Sequence, residues 1–118
     1  MASRRLILKG VDGVIFVADS QESRFEANVE AIQNLKDNMK TYGYDLMAVP
    51  YVLQLNKRDL PTAVEADRLV NALRVKNEPV FEAVATSGAG VFETLKAMAR
   101  MVLLNLRQRS GAKTSVTP

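Results

Sequence analysis

The sequence predicts an α/β fold in which three parallel strands are flanked by helices on both faces. Short apolar runs alternate along the chain with longer segments of helical periodicity. The apolar runs are continuous, which is typical of strands buried on both faces. Glycine, proline or capping residues separate the segments. Each helix therefore connects two neighbouring parallel strands in a right-handed crossover.

The first strand is predicted at residues 14–18, an apolar run. The helix that follows is predicted over about residues 22–42. A capping box of Ser23 and Glu26 stands near its start, and Gly43 fits its end. Its apolar face repeats at the helical period and consists of Phe25, Val29, Ile32, Leu35 and Met39.

The second strand is predicted at residues 51–55, directly after Pro50. Another capping box, Thr62 with Glu65, is predicted to begin a shorter helix. The inner face of that helix consists of Ala66, Leu69, Val70 and Leu73.

The third strand is predicted at residues 80–85, after Pro79 breaks the chain. Gly88 and Gly90 then form a turn. The last helix is predicted at about residues 91–108. Its apolar positions are Leu95, Met98, Ala99, Val102, Leu103 and Leu106.

The chain has 118 residues, enough for a single domain, which we predict over residues 1–108 with a disordered tail at 109–118. It contains no cysteine and no histidine, so disulfides, thiolate chemistry and the commonest metal ligand and general base are excluded. The net charge is +3 and the basic residues are scattered, so no nucleic acid is expected as a partner.

No apolar run approaches the roughly 18–20 residues of a membrane span. The N-terminal residues do not form a signal peptide, and no C-terminal cysteine is available for prenylation. We therefore expect a cytoplasmic location without direct membrane contact.

The strongest functional signal is the tetrad Asn56-Lys57-Arg58-Asp59, which directly follows the second predicted strand. Guanine presents two adjacent donors, N1–H and N2–H₂, and the Asp59 carboxylate can accept both. Adenine offers no such pair, so the carboxylate would lose water without compensation. Asn56 can reach N7, and the stem of Lys57 can lie over the base. The alternative is a polar turn, although such a tetrad arises by chance in a chain of this length with a probability on the order of 1%.

A second candidate element follows the third predicted strand, at residues 84–91. There a backbone N–H could reach the guanine O6, and the small side chain of Ala85 would permit a close approach. The alternative is an ordinary glycine turn between strand and helix. The distance of this segment from Asn56 along the chain favours the guanine interpretation.

Residues 6–21, 54–61 and 85–92 resemble the C-terminal part of Ras-like small GTPases. Within that superfamily the similarity is greatest to the MglA-type bacterial GTPases of gliding motility and cell polarity, and it covers about residues 2–107. The resemblance implies the corresponding half of the three-layer, P-loop NTPase-like fold and GTP or GDP as ligand, with Mg²⁺ expected for the family. It assigns guanine binding to Asn56, Lys57, Asp59, Ala85 and Thr86.

The resemblance also implies effectors that bind the GTP form and a roadblock-domain protein that accelerates hydrolysis.

Thr86 stands where many relatives have a lysine, and it lacks the long stem that stacks on the base. The chain contains no G-x-x-x-x-G-K-[ST] motif, switch threonine or Asp-x-x-Gly segment to hold phosphates and Mg²⁺. We therefore assign no catalytic or metal-binding residue and expect weak nucleotide binding or none.

In the Ras-like fold that the resemblance implies, the central strand, which this sequence lacks, would lie beside residues 14–18. That strand would then be an apolar, uncharged edge through which the chain could oligomerise. We expect the sequence to be a truncated form of a longer gene product, because Asn56 and Asp59 have no evident use without a phosphate site. The alternative is a genuine short paralogue.

Two other functions stay open on the residues alone. One is a non-enzymatic interaction module of the same fold. The other is a receiver-type phosphoacceptor domain, in which Asp19 would be the acceptor. The receiver hypothesis lacks an acidic pair before Asp19 and a lysine at the end of the third strand.

Overall fold

A computed structural model describes residues 12–114, with side chains for residues 12–108. Residues 1–11 and 115–118 lie outside the described part, and so do the predictions that fall on them. The described strands are β1 (Val14–Asp19), β2 (Tyr51–Asn56) and β3 (Val80–Glu82). The helices are a 3₁₀ turn at Glu22–Arg24, α1 (Phe25–Thr41), α2 (Ala66–Leu73) and α3 (Val91–Thr114).

The three strands form one parallel sheet in the order β1-β2-β3. Its register pairs Val14 with Tyr51 at one end of β1 and Asp19 with Asn56 at the other. Every residue of β2 before Asn56 is buried, as the continuous apolar run predicts for a strand with neighbours on both edges and layers on both faces. The predicted α/β fold with three parallel strands is confirmed.

Alternate residues of β2 face different helices. Tyr51, Leu53 and Leu55 belong to the main core, which also contains residues of α1 and α2. On the opposite face Gln54 Nε2 donates to Thr94 Oγ1 of α3 over 2.8 Å. The helices therefore cover both faces of the sheet. The buried members of the main core are Ala18, Ile32, Met39, Leu46, Tyr51, Leu53, Leu55, Val64, Leu69 and Leu73.

Neither predicted capping box forms. The N-cap of α1 is Arg24 and that of α2 is Glu65, and neither side chain caps its helix. The 3₁₀ turn occupies the first predicted turn of α1. Before α2, the carbonyl of Thr62 accepts from the Glu22 amide over 2.9 Å. This contact keeps the chain extended beyond Thr62, so α2 begins only at Ala66.

Two predicted element ends were also wrong. Strand β3 ends at Glu82 instead of residue 85, because the chain turns away into a bridge between Val84 and Ala89. Helix α3 continues past residue 108 to Thr114. No proline interrupts this stretch, so the backbone can keep its helical hydrogen bonds.

Tyr51 is fully buried in β2, yet its hydroxyl has no hydrogen-bond partner among the described residues. Burial raises the pKa of this hydroxyl, which stays neutral. We expect Tyr51→Phe to raise the free energy of unfolding by about 1 kcal/mol, because it removes an unpaired buried polar group. Urea denaturation measures this change. Tyr42→Phe is the control, since Tyr42 is 47% exposed and should change nothing. A loss of stability in Tyr51→Phe would show that the hydroxyl is paired.

Candidate guanine-binding site

The site lies at the carboxyl edge of the sheet, where ligands bind in open parallel α/β folds. Strand β2 ends at Asn56, and β3 ends at Glu82, shortly before the next loop. All five predicted site residues line one cleft of about 190 Å³. Its lining is Asn56, Lys57, Asp59, Leu60, Val84, Ala85 and Thr86. Pockets for whole ligands usually measure roughly 300–1,000 Å³, so this cleft suits a base better than a complete nucleotide.

Asn56 joins the two loops that form the cleft. Its Oδ1 accepts from the backbone amide of Lys57 over 2.8 Å and from that of Ala85 over 3.0 Å. Both acceptor positions of this oxygen are therefore used within the protein. The Nδ2 donor makes no hydrogen bond to a described residue and is available to an acceptor such as the guanine N7.

In the loop after β3, the backbone amide that is open to a ligand is that of Thr86 instead of that of Ala85. The Ala85 amide already donates to Asn56, so it would have to share that bond with a ligand. The amide of Thr86, one residue further on, has no acceptor among the described residues. Both residues are exposed at the cleft.

Lys57 has a left-handed backbone conformation, with φ at 63°. This is uncommon for a residue other than glycine and is often found at functional sites. Its Nζ forms an ion pair with Asp19 Oδ2 at 3.0 Å. The ion pair fixes the aliphatic stem of Lys57 between the end of β1 and the cleft.

Asp19 is held from several sides. Its Oδ1 accepts from the backbone amide of Gln21 and from Gln21 Nε2, each over 3.1 Å. Its backbone exchanges two hydrogen bonds with the buried side chain of Asn28. Desolvation alone would raise the pKa of the Asp19 carboxyl, but Lys57 and Gln21 together lower the pKa below its ordinary value of 3.8.

We expect Asp19 to contribute stability that acid removes. The folded state holds the carboxylate at pH values where the unfolded chain already takes up a proton. Its contribution is therefore complete above 3.8, the ordinary pKa, and is lost as the pH falls through the lower folded value. Urea midpoints of the wild type and Asp19→Asn, measured at several pH values, should converge on acidification. Curves that stay parallel down to the lowest pH would contradict this expectation.

Asp59 is exposed and has no hydrogen bond or ion pair to a described residue. The tetrad is closed by a turn in which the Leu60 amide donates to the Lys57 carbonyl over 3.2 Å. This turn places Asp59 at the rim of the cleft with both carboxylate oxygens open. The carboxylate can therefore accept two donors from a ligand.

Arg58 is a structural residue of the tetrad that the sequence did not predict. Its Nε donates to Glu82 Oε1 at 2.9 Å, and Nη1 donates to the carbonyl of Val64. Its backbone amide donates to the Ala83 carbonyl over 3.2 Å. These bonds hold the tetrad against the end of β3. Arg58 carries no signal in the sequence, whereas Asp19 stands out by its position at a strand end.

Within residues 12–114 no group of three or more acidic, histidine or cysteine side chains could hold a metal ion. No helix in this described part is long and apolar enough to cross a membrane.

A parallel α/β sheet with an Asn-Lys-x-Asp tetrad at its carboxyl edge defines the small GTPase class, and comparison with known proteins agrees. A profile of the ADP-ribosylation factor family matches residues 5–102. The chain therefore belongs to this family of small GTPases. Membership of this family does not support the alternative hypothesis of a receiver-type phosphoacceptor domain.

Two curated relatives are similar to this chain. The mutual gliding-motility protein MglA of Myxococcus xanthus (strain DK1622) is 57% identical over 107 residues, which cover 91% of this chain and 55% of MglA. The small COPII coat GTPase SAR1 of Giardia intestinalis is 34% identical over 67 residues, which cover 56% of this chain and 32% of SAR1. The chain thus spans about half the length of MglA and a third of the length of SAR1.

Proposed function

We propose that this chain is the guanine-reading half of a GTP-binding regulator of cell polarity and gliding motility. The observation that carries the proposal is that the tetrad and the loop after β3 line one cleft of base size. Identity of 57% with a gliding-motility protein supports the biological process. A cytoplasmic location is part of this proposal.

The cleft would read guanine through donors and acceptors on three sides. The open carboxylate of Asp59 would accept N1–H and N2–H₂. Asn56 Nδ2 would donate to N7, and a backbone amide of Ala85 or Thr86 would donate to O6. The stem of Lys57, held by Asp19, would cover one face of the base.

The affinity of this chain for nucleotide should be low. The described cleft contacts a base, and the sequence has no Walker-type motif that would hold phosphates and Mg²⁺. Small ligands gain at best about −1.5 kcal/mol per heavy atom and usually far less. We therefore propose binding too weak for submicromolar affinity and no hydrolysis by this chain alone. In the family's full domain, Mg²⁺ would accompany GTP.

Competition binding tests the proposal. A fluorescent GDP analogue at the purified chain should be displaced by GDP and GTP but not by ADP or ATP. Equal displacement by adenine nucleotides would contradict the guanine assignment. Submicromolar affinity, or release of phosphate from GTP, would contradict the proposal that this chain binds the base but lacks a phosphate-binding site.

The partners of this proposal are effectors that recognise the GTP form and a roadblock-domain protein that accelerates hydrolysis. A second candidate function is a non-enzymatic interaction module. It is favoured by β1, which pairs with β2 alone among the described strands. This edge would pair with another chain. Guanine-selective binding in the competition assay separates the first function from the second.

A further inference from the structure

Another hollow lies at the amino edge of the sheet, opposite the edge that carries the guanine-binding cleft. Its walls are the end of α1, the segment between α1 and β2, and the start of the connection from α2 to β3. It measures about 450 Å³, within the roughly 300–1,000 Å³ that is usual for ligand pockets. We call it the α1–α2 hollow. Its lining includes Lys36, Lys40, Asp45, Leu46, Met47 and Val75.

The hollow opens toward α2 and away from the outer edge of β1. Lys36 follows Phe25 by eleven residues, so the two lie on the same side of α1. The guanidinium carbon of Arg68, on α2, lies 4.3 Å from the ring centre of Phe25. This side of α1 therefore faces α2. Helix α2 connects β2 with β3, at the far end of the sheet from the outer edge of β1.

One wall of the hollow is held in place by Lys76. Its Nζ donates to the carbonyls of Leu46 and Met47 over 3.0 Å each and to that of Val49 over 2.6 Å. All three donors of the ammonium group are therefore used to fix the segment before β2. A site that is already held in its binding conformation loses less entropy when a partner binds.

The opposite wall is held by Glu78. This side chain is only 2% exposed. Its carboxylate accepts from the backbone amide of Val75 over 3.0 Å and from that of Lys76 over 2.7 Å. The carboxylate thus fixes the chain where it leaves α2, and both walls of the hollow are preformed.

The rim of the hollow carries positive charge that the described residues do not pair. Lys36 and Lys40 are exposed, lie one turn apart on α1 and form no ion pair with a described residue. The neighbouring Asp37 accepts from the side chain of a glutamine on the same helix. Asp45 bonds a backbone amide of its own loop, and its charge also acts on the Lys76 ammonium group. The two lysines are therefore available to an anionic partner.

The interior of the hollow is apolar. Leu46 is a buried member of the main core, and Val75 packs against that core. Met47 is 58% exposed. Methionine is flexible and is often used at surfaces that bind other proteins. Because its apolar surface reaches out of the hollow, the site suits a chain that continues across the protein better than an enclosed small molecule.

We propose that the α1–α2 hollow binds an acidic peptide segment of another protein. One large apolar side chain of the segment would enter the hollow beside Met47, and its carboxylates would bind Lys36 and Lys40 in charge-assisted hydrogen bonds. Anionic membranes are usually bound by clusters of about four to eight basic residues. Two unpaired lysines over an apolar interior match a short acidic segment instead.

An NMR titration tests the proposal on the ¹⁵N-labelled chain. The probes are short peptides in which a central tryptophan, phenylalanine or leucine is flanked by glutamates. At least one of them should shift the amide signals of Lys36, Lys40, Met47 and Val75. The same peptide with lysines for the glutamates, or with serine for the apolar residue, should bind at least tenfold more weakly. If no acidic peptide shifts these signals, or if the lysine peptide binds equally well, the proposal is wrong.

A charge reversal tests the role of the two lysines. The double variant Lys36→Glu with Lys40→Glu should lower the affinity for the acidic peptide by about tenfold or more. The matched control is Lys96→Glu with Arg100→Glu, which changes the net charge equally at two exposed positions of α3. The control should bind as the wild type does, and the amide spectra confirm that both variants are folded. Equal losses in both would reduce the effect to general charge attraction and overturn the proposal.

Two further measurements separate other occupants of the hollow. If the wild type bound phosphatidylserine vesicles through these lysines but bound no acidic peptide, the hollow would contact a membrane surface. If its amide signals shifted with protein concentration alone, the occupant would be a second copy of this chain. Either result would overturn the proposal. The inference does not depend on guanine binding, because the hollow and the cleft share no lining residue.

Discussion

Asp59→Asn is expected to shift the base preference of the cleft from guanine to xanthine. Guanine presents two donors to the open carboxylate of Asp59, whereas xanthine presents one donor and one carbonyl acceptor. An asparagine offers one acceptor and one donor, so it matches xanthine and turns an amide N–H₂ toward the guanine N2–H₂. Loss of a hydrogen bond to a charged group costs about 1.5–3 kcal/mol, a factor of roughly 10 to 150 in affinity for guanine.

The measurement compares GDP with xanthosine diphosphate on the wild type and on Asp59→Asn, in this chain and in a full-length relative. Asp67→Asn is the matched control, because Asp67 is an exposed carboxylate of α2 outside the cleft. The control should keep the guanine preference. If Asp59→Asn also kept it, the base-reading role of this carboxylate would be wrong.

Gly90→Ala is expected to destabilise the chain by about 3 kcal/mol or more and to disrupt the loop that carries Ala85 and Thr86. Gly90 has φ of +77°, a conformation that favours glycine. An added Cβ would also overlap the backbone carbonyl oxygen of Glu82, at the end of β3. Because a backbone atom cannot move aside as a side chain can, the loop must leave the strand.

Gly88→Ala separates the two causes. Gly88 has a similar φ of +83°, but nothing lies within 4 Å of an added Cβ there. Its cost should be backbone strain alone, about 1 kcal/mol. Urea denaturation of both variants gives the difference. Equal losses would mean that the close approach of Gly90 to Glu82 does not hold the loop.

The elements that the sequence predicted best are those that depend on local pattern. The continuous apolar run of β2 needs neighbours on both edges, and the structure provides them. The tetrad was predictable because its residue types match the donors of one base. Asp19 and Asn56 were both predicted at strand ends, and the parallel pairing of β1 with β2 places them side by side.

The features that the sequence missed depend on contacts between distant segments. Thr62 and Glu65 read as a capping box, but the bond from Glu22 to the Thr62 carbonyl keeps the chain extended there. The Arg58–Glu82 ion pair joins residues 24 apart in sequence, and no local pattern announces it. The sequence predicted that a backbone amide near Ala85 could bind a ligand. In the folded chain the Ala85 amide instead donates to Asn56 Oδ1.

The most direct test of the central claim, that this chain carries a preformed guanine-reading cleft, is an NMR titration of the ¹⁵N-labelled chain with GDP and with ADP at millimolar concentrations. We predict that GDP shifts the amide signals of the cleft, those of Asn56, Lys57, Asp59, Ala85 and Thr86. ADP should leave them in place. Equal shifts with ADP, shifts confined to other parts of the chain, or no shift with GDP would contradict the claim.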